Sequence, residues 1–345
     1  MQRKPPSFWK RCRYRLEAAA LESLAAVLPL LSRKALLRVA NTLGRLACLI
    51  LHKERRIALT NLDIAFGPSK STEEKKRIAL SSFQNFARSF LGLFWAQRLD
   101  DAALEQWVEV DEESVRRARE ILARGKGIVF LALHYGEWEL LGLATGWLGF
   151  PLTVVAEQTR NPHLERIFSR LRGHTGNRSI LQRFAVTKLF KALKRGECVA
   201  LLIDLNAPQG RGGVWLDFFG LPVFSNSSAA GLALRSGAAI VGTVAHPLPD
   251  GRVRIVYGPE ITCLPTGDDE ADIRAISHRC LGFCEEIIRQ RPEFWLWLYR
   301  RWKFRPSPEQ GGFPDYSIYF QRPRLPRAHS SNPPHSTIVP QQRGP

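Results

Sequence analysis

The hydrophobic positions of this chain change period from segment to segment. Residues 128–133 form an unbroken apolar run of strand length, while the apolar-rich segment from Trp138 onward has the composition of a helix. Runs at 152–156, 198–203, 214–220, 238–245 and 253–257 predict further strands. Between them, 188–197, 229–236 and 269–290 read as helices, and Asn161-Pro-His-Leu opens another that carries Arg166, Arg170 and Arg172. A charged helix is predicted over 101–124, ending at the turn residues Gly125-Lys-Gly127. Ser71-Thr-Glu-Glu74 has the form of a helix start with acids in its first turn, and the helix running on to about Gln97 shows Phe83, Phe86, Phe90 and Phe94 at the spacing of a core stripe. Strands alternating with helices predict an α/β domain.

The two ends of the chain depart from this pattern. Residues 1–15 carry Arg3, Lys4, Lys10, Arg11, Arg13 and Arg15 with no acid, interleaved with Phe8, Trp9 and Tyr14. Such a segment suits a solvated arm or an anionic bilayer interface. Two apolar stretches follow, 16–31 and 36–51, but Glu22 and Pro29 interrupt the first, and Arg38, Asn41 and Arg45 the second. Neither supplies the ~20 clean apolar residues of a spanning helix. They predict a pair of interfacial helices, with a single tilted span or two core helices as alternatives. Beyond Pro306 the chain turns rich in Pro, Ser and Arg, with no acid after Asp315, and a disordered basic tail is expected. The division is therefore a basic arm with membrane-associated helices over 1–52, one domain over 53–306, and a tail over 307–345.

Chemistry enters between the first strand and its helix, where His134 and Glu139 stand five residues apart. On one continuous helix such residues point roughly 140° away from each other. If His134 instead ends the strand and the chain turns at Gly136, both side chains converge on one opening. A carboxylate beside an imidazole fixes its tautomer and leaves the other nitrogen to take a proton, as a general base for a hydroxyl. Glu137 is a rival partner that the spacing leaves open. The strand over 198–203 delivers Asp204 at its carboxyl end, where open parallel sheets bind ligands; a turn cap is the alternative role.

His134-Tyr-Gly-Glu-Trp-Glu139 resembles the H-x4-[DE] motif of the lysophospholipid acyltransferase superfamily, and its HxGxWE form is closest to the lipid A late-acyltransferase branch of lauroyl and myristoyl transferases. Four further blocks match in order: Arg56-Ile-Ala-Leu-Thr-Asn-Leu-Asp-Ile-Ala-Phe66; Asn161-Pro-His-Leu164 leading to Arg172-Gly-His-Thr-Gly176; Asp204-Leu-Asn206 followed by Phe218-Phe-Gly220; and Pro292-Glu-Phe-Trp-Leu-Trp-Leu-Tyr-Arg-Arg-Trp-Lys303. The resemblance implies a glycerolipid-acyltransferase-like mixed sheet flanked by helices, with N-terminal membrane-associated helices. It implies transfer of a fatty acyl chain from a thioester to a hydroxyl of a glycolipid such as a lipid A precursor, with His134 as base, oriented by Glu139. No cofactor beyond the acyl thioester co-substrate is implied. The donor would be an acyl carrier protein or acyl-CoA, and the location the cytoplasmic face of a bacterial inner membrane. Arg160, Arg172, Asp204, Asn206, Arg300 and Arg301 are the expected substrate-binding positions. Two departures stand out: Glu157 falls where many relatives place an Arg, with Arg160 as a nearby substitute, and Leu205 follows Asp204 where the family usually has Gln. Acylation of another membrane lipid (a lysophospholipid, aminolipid or mannosyl lipid) and a non-catalytic basic membrane-binding protein are the alternatives.

Charge narrows the partners. Lysine and arginine number 50 against 32 acids, a net charge of +18, and the pI is near 10.2. That field suits a nucleic acid or an anionic membrane, and the acidic carrier protein that the resemblance implies would be served by it as well. Nothing resembles a zinc finger, an RNA-recognition signature or a basic zipper, so no nucleic-acid partner is expected. Gly210-Arg-Gly-Gly213 lacks the order of a phosphate loop, and no GxSxG nucleophile elbow is present. Cys280 and Cys284, with His278 nearby, share a helical face as core thiols or, alternatively, metal ligands. Trp295, Trp297 and Trp302 beside Arg300, Arg301 and Lys303 suit a packed edge strand or an interfacial belt, and the resemblance favours a basic wall beside the site.

Overall fold

The computed structural model describes residues 7–156, 159–182, 184–208, 212–262, 265–307 and 309–316, apart from the side chains of Arg98 and Asp101. Residues 1–6 of the basic arm, Glu157, Gly210 and Arg211 of the glycine-rich loop, Cys263 and the tail beyond Tyr316 lie outside the described residues.

Four helices lead the chain: α1 (Phe8–Val27), α2 (Arg33–Ile50), α3 (His52–Phe66) and α4 (Thr72–Trp95). α4 starts where the sequence signals it, on a capping box in which the Ser71 hydroxyl accepts from the Glu74 amide while the Glu74 carboxylate accepts from the Ser71 amide. After them come α5 (Asp101–Trp107), β1 (Val108–Val110), α6 (Glu112–Ala123), β2 (Ile128–Ala132), α7 (Trp138–Trp147), β3 (Leu152–Ala156), α8 (Pro162–Arg172), β4 (Arg178–Leu181), α9 (Ala185–Lys194) and β5 (Cys198–Leu202). A two-stranded ribbon, β6 (Gly213–Phe218) and β7 (Leu221–Asn226), precedes α10 (Ser228–Ser236), β8 (Ala239–Pro247), β9 (Val253–Ile261) and α11 (Asp269–Gln290).

Seven strands form one mixed sheet in the order β1-β9-β8-β2-β5-β3-β4, parallel throughout except for the β8/β9 pair. Its faces separate two apolar layers, as expected for strands covered on both sides. One layer joins Val129, Leu131 and Val199 to α9, α10 and α11; the other joins Ile128, Phe130 and Cys198 to α2, α6, α7, α8 and the second half of α4. Cys280 and Cys284 are buried in the first layer, and His278 is exposed. Among the described residues, no three His, Cys, Asp or Glu side chains cluster as metal ligands.

Three expectations change. The helix predicted over 101–124 is broken by β1, because Val108 to Val110 pair with Val253 to Ile255 on the sheet edge and that pairing overrides local helical preference. Residues 292–303 form no edge strand. They make a short 3-10 turn and then irregular chain, with Trp295, Trp297 and Trp302 at 0% exposure, so the tryptophans are core rather than an interfacial belt. The phenylalanine stripe of α4 splits: Phe83 and Phe94 are buried, Phe90 is half-buried, and Phe86 is exposed. Beyond Pro306, Tyr316 is buried and its hydroxyl donates to the Asn61 side chain.

α1 and α2 pack against the domain, and α1 takes in residues 8–15 of the basic arm. α1 contacts α8, and α2 lies along α4 with Leu36, Ala40, Gly44 and Cys48 buried. At Gly44 the two backbones meet without a side chain between them, and a Cβ there would lie 2.4 Å from the Gln84 Cα. A neighbouring face of α2 exposes Val39, Leu43, Leu46 and Ile50. No single described helix is long and apolar enough to cross a membrane; α2 and α3 reach that length only together, and they are bent by 92°. Gly44→Ala should lower stability by about 1–3 kcal/mol, as overpacking does, whereas Gly282→Ala in α11, where a Cβ meets nothing within 4 Å, should raise it by about 0.5–1 kcal/mol. Thermal melts of the two variants check the contrast.

Candidate active site

β2 and β5 run side by side in parallel with Ala132 opposite Leu202, so His134 and Asp204 leave the sheet together at its carboxyl edge. Their side chains meet: Nδ1 of His134 lies 3.0 Å from Oδ1 of Asp204. A carboxylate only accepts, so Nδ1 carries the proton and Nε2 keeps its lone pair. Oδ2 of the same carboxylate accepts from the His134 amide at 2.9 Å and from the Trp295 indole at 2.8 Å. Asp204 has no exposed surface, whereas the His134 side chain is 23% exposed, so the pair presents its imidazole outward. Burial pushes the Asp204 carboxyl up, but the His134 charge and the hydrogen bonds from His134 and Trp295 outweigh it and hold the pKa below the usual aspartate value.

Gly136 makes the turn that the spacing of His134 and Glu139 requires. Its φ is +58°, and a Cβ would lie 1.8 Å from the Ala245 carbonyl oxygen, so no other residue fits. The loop is fastened on both sides. The Gly136 amide donates to the Phe294 carbonyl, and the Leu296 amide donates to the His134 carbonyl. Ser82, Asn85 and Ser89, a buried polar row on α4, hold the loop and the tryptophan segment: Asn85 donates to the Gly136 and Phe294 carbonyls, Ser82 bonds Trp295 and Trp297, and the Ser89 hydroxyl accepts from the Glu139 amide. Asn61 extends the row by donating to the Trp297 and Tyr299 carbonyls, 2.7 Å each.

Glu139 does not bond to His134. It sits in the first turn of α7 facing α8, where Arg172 takes its carboxylate with two bonds of 2.9 and 2.6 Å. Arg172 also stacks over Phe168. The rival, Glu137, is buried and faces away from the imidazole into an ion pair with Arg33 of α2, whose guanidinium also donates to the Gly251 carbonyl and lies over Trp95. Sequence spacing therefore brought two acids near His134, and the fold uses both to anchor helices while a third, 70 residues away, receives the imidazole.

The other expected substrate contacts divide. Arg160 and Arg300 are exposed. Asn206 spends its amide on the protein, donating to the Arg300 carbonyl and accepting from Arg301. Arg301 is fully buried over Phe218 and bonds Asn206 and Ser225, so it backs the site rather than lining it. Burial pulls its pKa down to about 10, opposed by the charge of Asp204, and the guanidinium stays charged at neutral pH. Trp295, which fixes Asp204, was in a motif block but carried no chemical signal of its own. Trp138 stacks edge-on against His134 with centroids 5.5 Å apart, and exposed Phe86 adjoins Trp138 at 6.0 Å, so the imidazole opens beside an aromatic lip.

A family model described as bacterial lipid A biosynthesis acyltransferase matches residues 12–304. The chain is 28% identical over 275 residues to a lipid A biosynthesis lauroyltransferase of Escherichia coli, covering 78% of this chain and 86% of that protein. It is 26% identical over 270 residues to a lipid A biosynthesis palmitoleoyltransferase of the same organism, covering 77% and 84%. A phosphatidylinositol mannoside acyltransferase of Mycolicibacterium smegmatis is 27% identical over 228 residues, covering 64% and 71%.

Two outcomes test this arrangement. Removing one charge of the Arg33–Glu137 pair, by Glu137→Gln or Arg33→Met, should cost about 3–5 kcal/mol, with a double Met variant destabilised less than either single one; urea unfolding of the set measures it. The Asp204 carboxyl is more acidic folded than unfolded, so the stability it brings is complete above about pH 4 and is lost as pH falls through the lower folded value. Asp204→Asn should therefore show a shallower fall of Tm below about pH 4 than the parent chain.

Proposed function

This chain belongs to the bacterial lipid A biosynthesis acyltransferase family, and on that premise we propose that it transfers a fatty acyl chain from a thioester to a hydroxyl of a lipid A precursor, with His134 as general base and Asp204 as the group that orients it. The observation that carries the reading is the buried Asp204 carboxylate on Nδ1 of His134, which leaves Nε2 basic and outward-facing at the mouth of the crevice. His134 Nε2 takes the proton of the acceptor hydroxyl as its oxygen bonds to the thioester carbonyl carbon. The tetrahedral adduct then collapses, the carbon–sulfur bond breaks, and the imidazolium returns the proton to the leaving sulfur. Asp204 stabilises the imidazolium in between. Glu139 and Arg172 serve as a second, charge-neutral wall that fixes α7 against α8.

The acceptor is a membrane lipid, and the same reading places the protein on a membrane surface, at the cytoplasmic face of the inner membrane. The exposed apolar stripe Val39, Leu43, Leu46 and Ile50 of α2 supports it, as do Phe8 and Trp9 at the head of α1 among basic residues. Arg38 and Arg45 flank the stripe, which suits anionic headgroups. Phe86 adjoins Trp138, which meets the His134 ring, and gives the imidazole an apolar approach.

Mass spectrometry of lipids from cells expressing the chain, in a host that makes lipid A precursors, should show one added acyl chain. His134→Ala should abolish the product, and Asp204→Asn should lower the rate by about 10²–10⁴-fold. Glu139→Gln should act mainly through stability. The opposite ranking, with Glu139→Gln inactive and Asp204→Asn near the parent rate, would make Glu139 the working partner, and no change in any lipid would sink the acyltransfer reading.

A further inference from the structure

α9 is covered on one side and unusually charged on the other. Leu189, Ala192 and Leu193 pack it onto the sheet, while Lys188, Lys191 and Lys194 recur at three-residue intervals on the exposed side. From Arg178 to Arg195 the sequence contains no acid. Arg195 is neutralised by two bonds to Glu197, but among the described residues no carboxylate forms an ion pair with the three lysines. At the head of the helix stands Phe184, 68% exposed, followed by Val186, 53% exposed. The Phe184 backbone has φ +58°, a left-handed conformation that a bulky residue holds against its steric preference. An exposed aromatic side chain on a strained turn, at the head of a helix that carries a row of lysines, has the composition of a recognition patch rather than of a folding requirement.

Strand register fixes where this patch lies. Ala132 pairs with Leu202, Val154 with Ala200 and Ala156 with Leu181, so His134, Asp204 and Phe184 all stand just beyond the same level of the sheet. The strands between run β2-β5-β3-β4, which puts the β4 end about 14 Å from the β2 end at ordinary strand spacing. The patch thus opens on the edge that carries the candidate dyad. It belongs to the opposite face of the sheet from α2, so a partner on α9 and a bilayer on α2 do not compete for surface.

We propose that Phe184 and the lysine row of α9 are the docking surface for an acidic carrier protein that delivers the acyl chain as a thioester. The proposal rests on the acyltransferase reading above and assigns the donor a place on the fold. Charge complementarity identifies the occupant. Compared with the α2 stripe, the α9 surface offers few large apolar groups and three regularly spaced ammonium groups, which match carboxylates on the surface of a folded protein better than the apolar interior of a bilayer.

The test compares the full-length protein with a Lys188→Glu/Lys191→Gln/Lys194→Gln variant and with Phe184→Gly. Gln at 191 and 194 keeps new acids away from the C-terminal end of the helix, and Gly at 184 relieves the positive φ, so Phe184→Gly should melt no lower than the parent. The probes are lauroyl-loaded acyl carrier protein, the lauroyl thioester of N-acetylcysteamine, and vesicles of phosphatidylethanolamine with phosphatidylglycerol. Both variants should raise KM for the carrier-bound donor tenfold or more with kcat kept, leave the small thioester within twofold, and sediment with vesicles as the parent does. Unchanged KM for the carrier-bound donor, or equal losses on both donors, would overturn the proposal, as would vesicle binding lost in place of carrier use. Fluorescence anisotropy of labelled carrier protein reads the same surface without catalysis. Carrier binding that the variants weaken, in a protein that transfers acyl groups from neither donor, would keep the docking surface and remove the acyltransferase reading.

Discussion

A carboxylate with no exposed surface is tolerated only where its oxygens are bonded, because an unpaired buried charge is among the most expensive features a fold can carry. Asp204 meets that condition with donors from two other segments, the end of β2 and the tryptophan-rich stretch after α11. The consequence runs both ways. The imidazole is held in one tautomer, and the segments that supply the donors are held at the edge of the sheet. Arg301, buried behind Phe218 with its charge retained, adds a compensating cation that no solvent can replace. Much of the polar chemistry of the interior, including Ser82, Asn85, Ser89 and Asn61, keeps that stretch and the His134 loop in register.

Local signals in the sequence carried the architecture well. The strand, the turn at Gly136 and the helix after it, the start of α4 and the limits of α11 each carry a local signal in the sequence, and all lie where the pattern puts them. β1 and β4 were illegible because each is short and only partly buried, so their pairing is decided by the neighbouring strand rather than by their own composition. The same divide separates the site residues. His134 was readable as the end of an apolar strand. Its partner was not, since nothing local distinguishes Asp204 from the nearer Glu137 and Glu139. Deciding among three acids requires knowing that β2 and β5 are adjacent and that Arg33 and Arg172 have claimed the other two. Arg300 and Arg301, adjacent in sequence, differ completely in exposure, because the chain after the tryptophans alternates between core and solvent without forming a strand.

The ion pair of Glu137 with Arg33 gives the N-terminal helices a stake in the site. α2 contributes an exposed apolar stripe on one side, and at its first residue it places a guanidinium against the loop that carries His134. A buried pair of this kind adds little net stability compared with apolar packing, but it tolerates only one relative placement of its partners. The helix that would face lipid and the loop that carries His134 are therefore fixed to one another by geometry.

Direct backbone contact between α2 and α4 at Gly44 has a kinetic consequence. With no side chain between them, the helices cannot roll, and the stripe on α2 keeps a constant bearing relative to the crevice. On a bilayer the opening would then sit at one height above the leaflet, and lipid acceptors would reach it by two-dimensional diffusion. A carrier-borne donor would arrive through bulk water. The two substrates would thus be counted in different units, one as a mole fraction of the leaflet and the other as a molarity, and dilution of the membrane lipid would slow one arrival without altering the other.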